Sequence, residues 1–220
     1  MIEPLDYNNL KRRQREIRDG FHVNLALRVH RALSWLQRAE QELDDGDARF
    51  LFLWIALNAA YANDIHDRTG FGERRVLINF LNRLIGFDEE TLLYRIVWEE
   101  FPTSIRLLID NKFVFQPFWD YHNGRQNNQW EKEFLRSRAA AHQALGRLET
   151  KKVLAVVFDR LYVLRNQLIH GGATWNSSVN RNQVRDGAAI LDRLVPAIIQ
   201  LMMDSGGAVW GEPCYPVVDG

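Results

Sequence analysis

Apolar residues recur three or four positions apart through most of the chain, and no stretch alternates with a period of two for long enough to demand a strand. From Phe21 to Leu43 they fall at Val23, Leu27, Ala32, Leu33, Leu36, Ala39 and Leu43, which predicts an amphipathic helix. The run Asp44 to Asp47 breaks it, and Asp47 is expected to cap the next helix. That helix, Ala48 to Ile65, is apolar nearly all round and is expected at the centre of the fold. Thr69 to Gly72 reads as a turn and Glu73 to Ile85 as an amphipathic helix closed by Gly86. Asp88 is expected to cap a helix running to Glu100, which Pro102 restarts. Lys112 to Gln129 is aromatic, then Gly- and Asn-rich, and reads as an irregular surface excursion whose aromatics dock on the body. Trp130 to Leu148, Thr150 to Ile169 and Asn180 to Met203 are the remaining expected helices, with a loop at HGGATWNSS and an irregular but packed tail from Ser205. The expected fold class is all-α: an up–down helical bundle with additional helices, in one domain spanning 1–220.

Composition narrows the function classes. In 220 residues, 25% charged and 46% hydrophobic exclude a disordered chain, and 14 Gly with 6 Pro exclude a collagen-like or Pro-rich one. The 28 basic residues cancel the 28 acidic ones, so no global charge announces a nucleic acid or a membrane, although a local patch can bind RNA at a total of zero. Of the basic residues 23 are Arg, the better side chain for forked contacts to phosphate or carboxylate. A single cysteine, Cys214, excludes a disulfide framework and a cysteine zinc site, and favours a reducing cytoplasm. The polar, basic first residues lack the apolar region of a signal peptide, and no apolar run approaches the ~18 residues of a membrane span. A soluble, cytoplasmic protein with no membrane contact is expected.

Few motifs survive comparison with ordinary structural roles. There is no phosphate loop and no HExxH; Gly70 and Gly72 read as a helix-entry turn. His66 beside Asp64 and Asp67 reads as a solvated helix end before a metal site, so neither metal nor cofactor is called for. His22 and His30 read as surface histidines, Asn176-Ser177-Ser178 carries no weight without a signal peptide, and Cys214 reads as an inert thiol. What remains is RNQLIHGG, Arg165 to Gly172, at the end of a long helix. An Arg five residues before a His arises by chance roughly 0.6 times in this composition, and roughly 0.04 times when Asn must follow the Arg. Asn166 and His170 are i and i+4 and share a helix face, about 40° apart. Arg165 is about 140° from His170, but its long fork can swing to the same site. Gly171 and Gly172 are expected to end the helix there and leave the imidazole exposed, the alternative being that Arg165 pairs with an acid and His170 is a C-terminal cap favoured by the helix dipole.

This segment resembles the HEPN domain. Its Arg-Asn-x-x-x-His, followed by HGG, a short loop and a long last helix, is similar to the prokaryotic members with an extended helical body. RFLFLWIALNAAY at Arg49 to Tyr61 resembles the buried second helix of that superfamily. The resemblance covers roughly Phe21 to Met203, with RNQLIH its specific motif. It implies a HEPN-like core over 21–66 and 130–204, a helical insertion over 70–129 and an irregular tail over 205–220. It also implies a homodimer and a metal-independent endoribonuclease of toxin or defence type, with RNA as substrate and an antitoxin or other protein as partner. Other members are non-catalytic binding modules for RNA, nucleotide or protein. Arg165 matches the motif arginine, Asn166 the polar residue after it and His170 the motif histidine. Where many catalytic members carry an acid on the second helix, this chain has Asn58.

Overall fold

The computed structural model describes residues 4–62, 71–125, 129–178, 181–205 and 210–215. Among these the regular structure is all helix, with no strand, as the three-to-four periodicity demands. Its contacts divide into two compact units, Met1–Leu92 with Ala188–Gly220, and Leu93–Gly187.

The first unit opens with a helix that the apolar pattern does not announce, α1 (Tyr7–Ile17), capped by Asp6 Oδ1 accepting from Asn9 N at 2.9 Å. Glu40 Oε1 accepts the Tyr7 N–H at 2.8 Å and fastens its start to the end of α2 (Val23–Glu40). The cap of α3 (Gly46–Tyr61) is Asp45, whose Oδ1 accepts from Ala48 N at 3.0 Å. Asp47 lies inside the first turn, so the expected cap was two residues too late, and α3 starts earlier than Ala48. Although apolar nearly all round, α3 buries one face, where Phe50, Leu53, Trp54 and Leu57 are fully covered, while Leu51, Phe52, Ile55 and Asn58 on the other side are half-buried. Residues 63–65, where this helix was expected to continue, and the turn residues Thr69 and Gly70 lie outside the described residues. The next helix, α4 (Phe71–Ile85), already includes Gly72. The later part of α10 (Arg181–Asp204) belongs to this unit, and Arg49 of α3 pairs with its Asp192 at 2.5 Å.

The tail is irregular and packed, as expected, and a buried arginine on α2 does the fastening. Arg28, 1% exposed, donates through Nε to Trp210 O and through Nη1 to Ala60 O, both at 3.0 Å. It also reaches Ala62 O and Glu212 O at 2.9 Å. Arg31, one turn on, donates to Cys214 O at 2.7 Å and Tyr215 O at 2.6 Å. Burial presses the Arg28 guanidinium down to about 10, and five carbonyl acceptors are what let a cation stay there.

In the second unit, α5 (Leu92–Arg95) widens into a looser turn over Ile96–Glu100, and α6 (Pro102–Asp110) restarts with Pro102 at its first position, where its missing N–H costs nothing. The stretch expected to be irregular is mostly helical: a 3₁₀ turn at Lys112–Val114 leads into α7 (Gln116–His122). Its aromatics do dock, with Phe118 buried and in edge contact with Trp130 at 4.9 Å. Then α8 (Trp130–Gly146) and α9 (Thr150–Ile169) pack on each other through a three-residue connection.

Candidate functional site

Helix α9 is held by its apolar face: Val153, Leu154, Val157, Phe158, Leu161 and Leu164 recur every three or four residues and are all buried. The stripe stops at Leu164, so Arg165 and Asn166 are half-buried and His170 is exposed. The helix then ends in a full Schellman motif. Gly172 N–H donates to Gln167 O at 2.8 Å and Gly171 N–H to Leu168 O at 3.3 Å. Gly171 sits at φ +69°, the left-handed conformation that this cap requires and glycine adopts without strain.

At this end Arg165 Nη1 donates to Asn166 Oδ1 at 2.9 Å. The fork thus swings around the helix onto the residue that shares a face with His170. Its other contact is the ring of Tyr162, 5.9 Å from the guanidinium carbon, while Arg165 Nε is buried without a hydrogen-bond partner. The His170 N–H continues the helix to Asn166 O at 3.0 Å. Among the described residues the imidazole itself makes no hydrogen bond, and the residue is exposed. A cation, an amide and an exposed imidazole therefore lie within the last turn and a half of one helix. That set can hold a phosphate and move a proton.

Sequence reasoning missed Gln167. Its Nε2 donates to Phe113 O at 2.6 Å, and the same carbonyl accepts from Trp119 Nε1 at 2.8 Å. One backbone oxygen, using both lone pairs, ties the 3₁₀ turn and α7 to the motif helix.

The other candidates separate cleanly. His66, Asp64 and Asp67 lie outside the described residues, and among those described no group of His, Cys, Asp and Glu could hold a metal ion. His22 and His30 are exposed on and beside α2, and His22 Nδ1 accepts from Asn24 N at 3.3 Å as a helix cap. Cys214 is in no disulfide and contributes its carbonyl to Arg31. Asn58 lies on α3 in the first unit, its Oδ1 buried and without a hydrogen-bond partner among the described residues. The first unit also contains a cavity of about 330 Å³ bounded by Tyr61, Asn79, Phe80, Arg83 and Trp210. Arg28 borders it too, but its donors are already committed to carbonyls. No described helix is long and apolar enough to cross a membrane. Comparisons with protein-family models, with curated proteins and with solved structures find no match.

Proposed function

We propose that this chain is a HEPN-like, metal-independent endoribonuclease of toxin or defence type, built on an up–down helical bundle and acting as a homodimer. The observation that carries the reading is the Arg165–Asn166 hydrogen bond at a glycine-capped helix end, one turn from the exposed His170. The reaction that suits these groups is attack of an RNA 2′-oxygen on the adjacent phosphorus. The O2′–P bond forms and the P–O5′ bond breaks, leaving a 2′,3′-cyclic phosphate and a 5′-hydroxyl. A base must take the 2′ proton, an acid must protonate the leaving 5′-oxygen, and a cation must steady the extra negative charge on phosphorus.

His170 fills either proton role, and Arg165 supplies paired N–H donors to the phosphorane oxygens. Asn166 holds the Arg165 fork on the His170 face and keeps its own amide N–H group for a phosphate oxygen. One histidine cannot be base and acid in the same step, so two motifs across a two-fold axis answer a chemical need. Asn58, where an acid would support catalysis, favours a second reading: a non-catalytic HEPN-like module that binds RNA, a nucleotide or a protein partner.

The test uses purified protein and RNA in excess chelator, with analysis of the new termini. Wild type should give cyclic phosphate ends, and His170→Ala and Arg165→Ala should each lose about 100-fold or more while keeping their helical circular dichroism. Cleavage that survives in both variants refutes the site. Light scattering should report a dimer, and a strictly monomeric protein with full activity would refute the composite arrangement.

A further inference from the structure

The whole-chain charge of zero conceals a division. Residues Leu93–Gly187 hold 14 Lys and Arg against 9 Asp and Glu, a net of +5. The remaining residues hold 14 against 19, a net of −5. A polyanion is therefore drawn to the unit that carries Arg165, Asn166 and His170.

On that unit one exposed aromatic side chain, with Lys112 over its ring, belongs to a residue tied to the motif helix. Phe113 is 45% exposed, although a phenyl ring gains by burial. Its ring is steadied by edge contact with Phe118 at 5.4 Å, and Lys112 Nζ lies 5.3 Å from its centroid. Its carbonyl is fixed by Trp119 and by Gln167. Gln167 is three residues before His170, so their Cβ atoms lie roughly 5–6 Å apart on one side of the helix. Phe113 is thus tied through its carbonyl to the residue three positions before His170. A braced aromatic face, an adjacent ammonium and a basic surround are the elements from which single-strand binding surfaces are made: the ring stacks on a base and the cation meets the backbone.

We infer that Phe113 and Lys112 form a subsite for single-stranded RNA, with an unpaired base stacked on the Phe113 ring and a flanking phosphate on Lys112. The inference rests on the ribonuclease reading for what lies at His170, and it names the form of RNA that the site takes. Bases inside a duplex have no free face to offer Phe113, so paired RNA cannot use the subsite.

Binding is measured by fluorescence anisotropy with the full-length His170→Ala protein, a fluorescein-labelled single-stranded RNA of mixed sequence, and the same RNA annealed to its complement. The single strand should bind more tightly than the duplex. Phe113→Ala should weaken it roughly ten-fold or more, the scale of one lost stacking contact, and Phe113→Trp should retain it. Lys112→Ala should lower the slope of log affinity against log salt by about one. A folded Phe113→Ala protein that binds as its parent does, or a duplex bound as tightly as the single strand, overturns the subsite. Should Phe113→Ala unfold, loss of binding in a folded Phe113→Trp protein together with an unchanged salt slope in Lys112→Ala overturns it as well. Self-association abolished by Phe113→Ala, without RNA binding, assigns the patch to a second copy and overturns it too. The two readings fail separately. Single strands held through Phe113 by a wild type that never cuts would remove the catalytic reading and support the subsite. Cutting by wild type with KM unchanged in Phe113→Ala would do the reverse.

Discussion

Replacing Arg28 with Met should loosen the C-terminal segment and lower the stability of the first unit. Methionine fills much of the same volume but donates nothing, so Trp210 O and Ala60 O lose their buried partner, and Ala62 O and Glu212 O lose a half-buried one. A stranded buried acceptor costs about 1–3 kcal/mol. Against that, the substitution removes a cation that burial has pressed down to about 10, which returns part of the loss. The net expectation is a loss of about 2–4 kcal/mol, or roughly 5–15 °C in Tm for a chain of this size. Scanning calorimetry measures the shift, and hydrogen exchange should show residues 210–215 losing protection before the helices do. A second experiment isolates the clamp. In a chain ending at Ser205, Arg28→Met should cost markedly less, because three of its acceptors are already gone. An Arg28→Met protein that melts within 2 °C of wild type (~2 °C being the usual effect of under 1 kcal/mol), with unchanged exchange at the tail, would refute the reasoning.

Two further outcomes follow from the same kind of argument. Trp54 is fully covered and stacks on Phe50 at 6.4 Å, so Trp54→Ala should cost ~3–5 kcal/mol in urea unfolding, and a loss below ~1 kcal/mol would mean the cavity collapses or the ring is not packed. Asp110 loses some hydration by burial, which raises its pKa, but His142 Nε2 and Arg138 Nε, each 2.7 Å from Oδ1, outweigh that and hold the carboxyl below its usual range. A depressed carboxylate contributes stability above its unfolded pKa and loses it as pH falls through the folded value. Wild type should therefore melt above Asp110→Asn at neutral pH by a fraction of a kcal/mol, the Arg138 and Asp110 side chains being 47% and 36% exposed and screened, and the gap should close as pH falls below about 4. A gap that widens on acidification would reverse the assignment.

The legible parts of the sequence were those written in local periodicity. Helices α2, α3, α8, α9 and α10 carry apolar stripes, and Pro102 and Gly171 mark ends by backbone chemistry. Helix α1 buries only Leu10 and Gln14, too few to register as a stripe, so its sole signal was the capping Asp6. At Asp44 to Asp47 three carboxylates compete, and the backbone turn selects Asp45, a choice that composition cannot reveal. In α7 the proline of QPFWDYH sits within the first turn, where it starts a helix and does not break one. At the site, the reach expected of Arg165 was toward His170, and the contact it makes is with its neighbour Asn166. The tie between Gln167 and Phe113 spans 54 residues and leaves no local trace. The opposed charges of the two units were hidden because the acidic unit is assembled from both ends of the sequence.

That assembly sets an order on biosynthesis. Leu93–Gly187 leaves the ribosome as one continuous piece, whereas the other unit waits for residues far downstream. At ~5–20 residues per second, Trp210 follows Arg28 by roughly 10–40 s. Throughout that interval a guanidinium destined for burial lacks the carbonyls of Trp210, Gly211 and Glu212, and Phe80 lacks the indole that later lies 5.4 Å away. Each nascent chain therefore passes through a stage in which one unit has all its residues and the other still lacks its C-terminal part, the stage at which chaperones and proteases act. A stop codon anywhere between residues 205 and 210 would make that transient stage permanent.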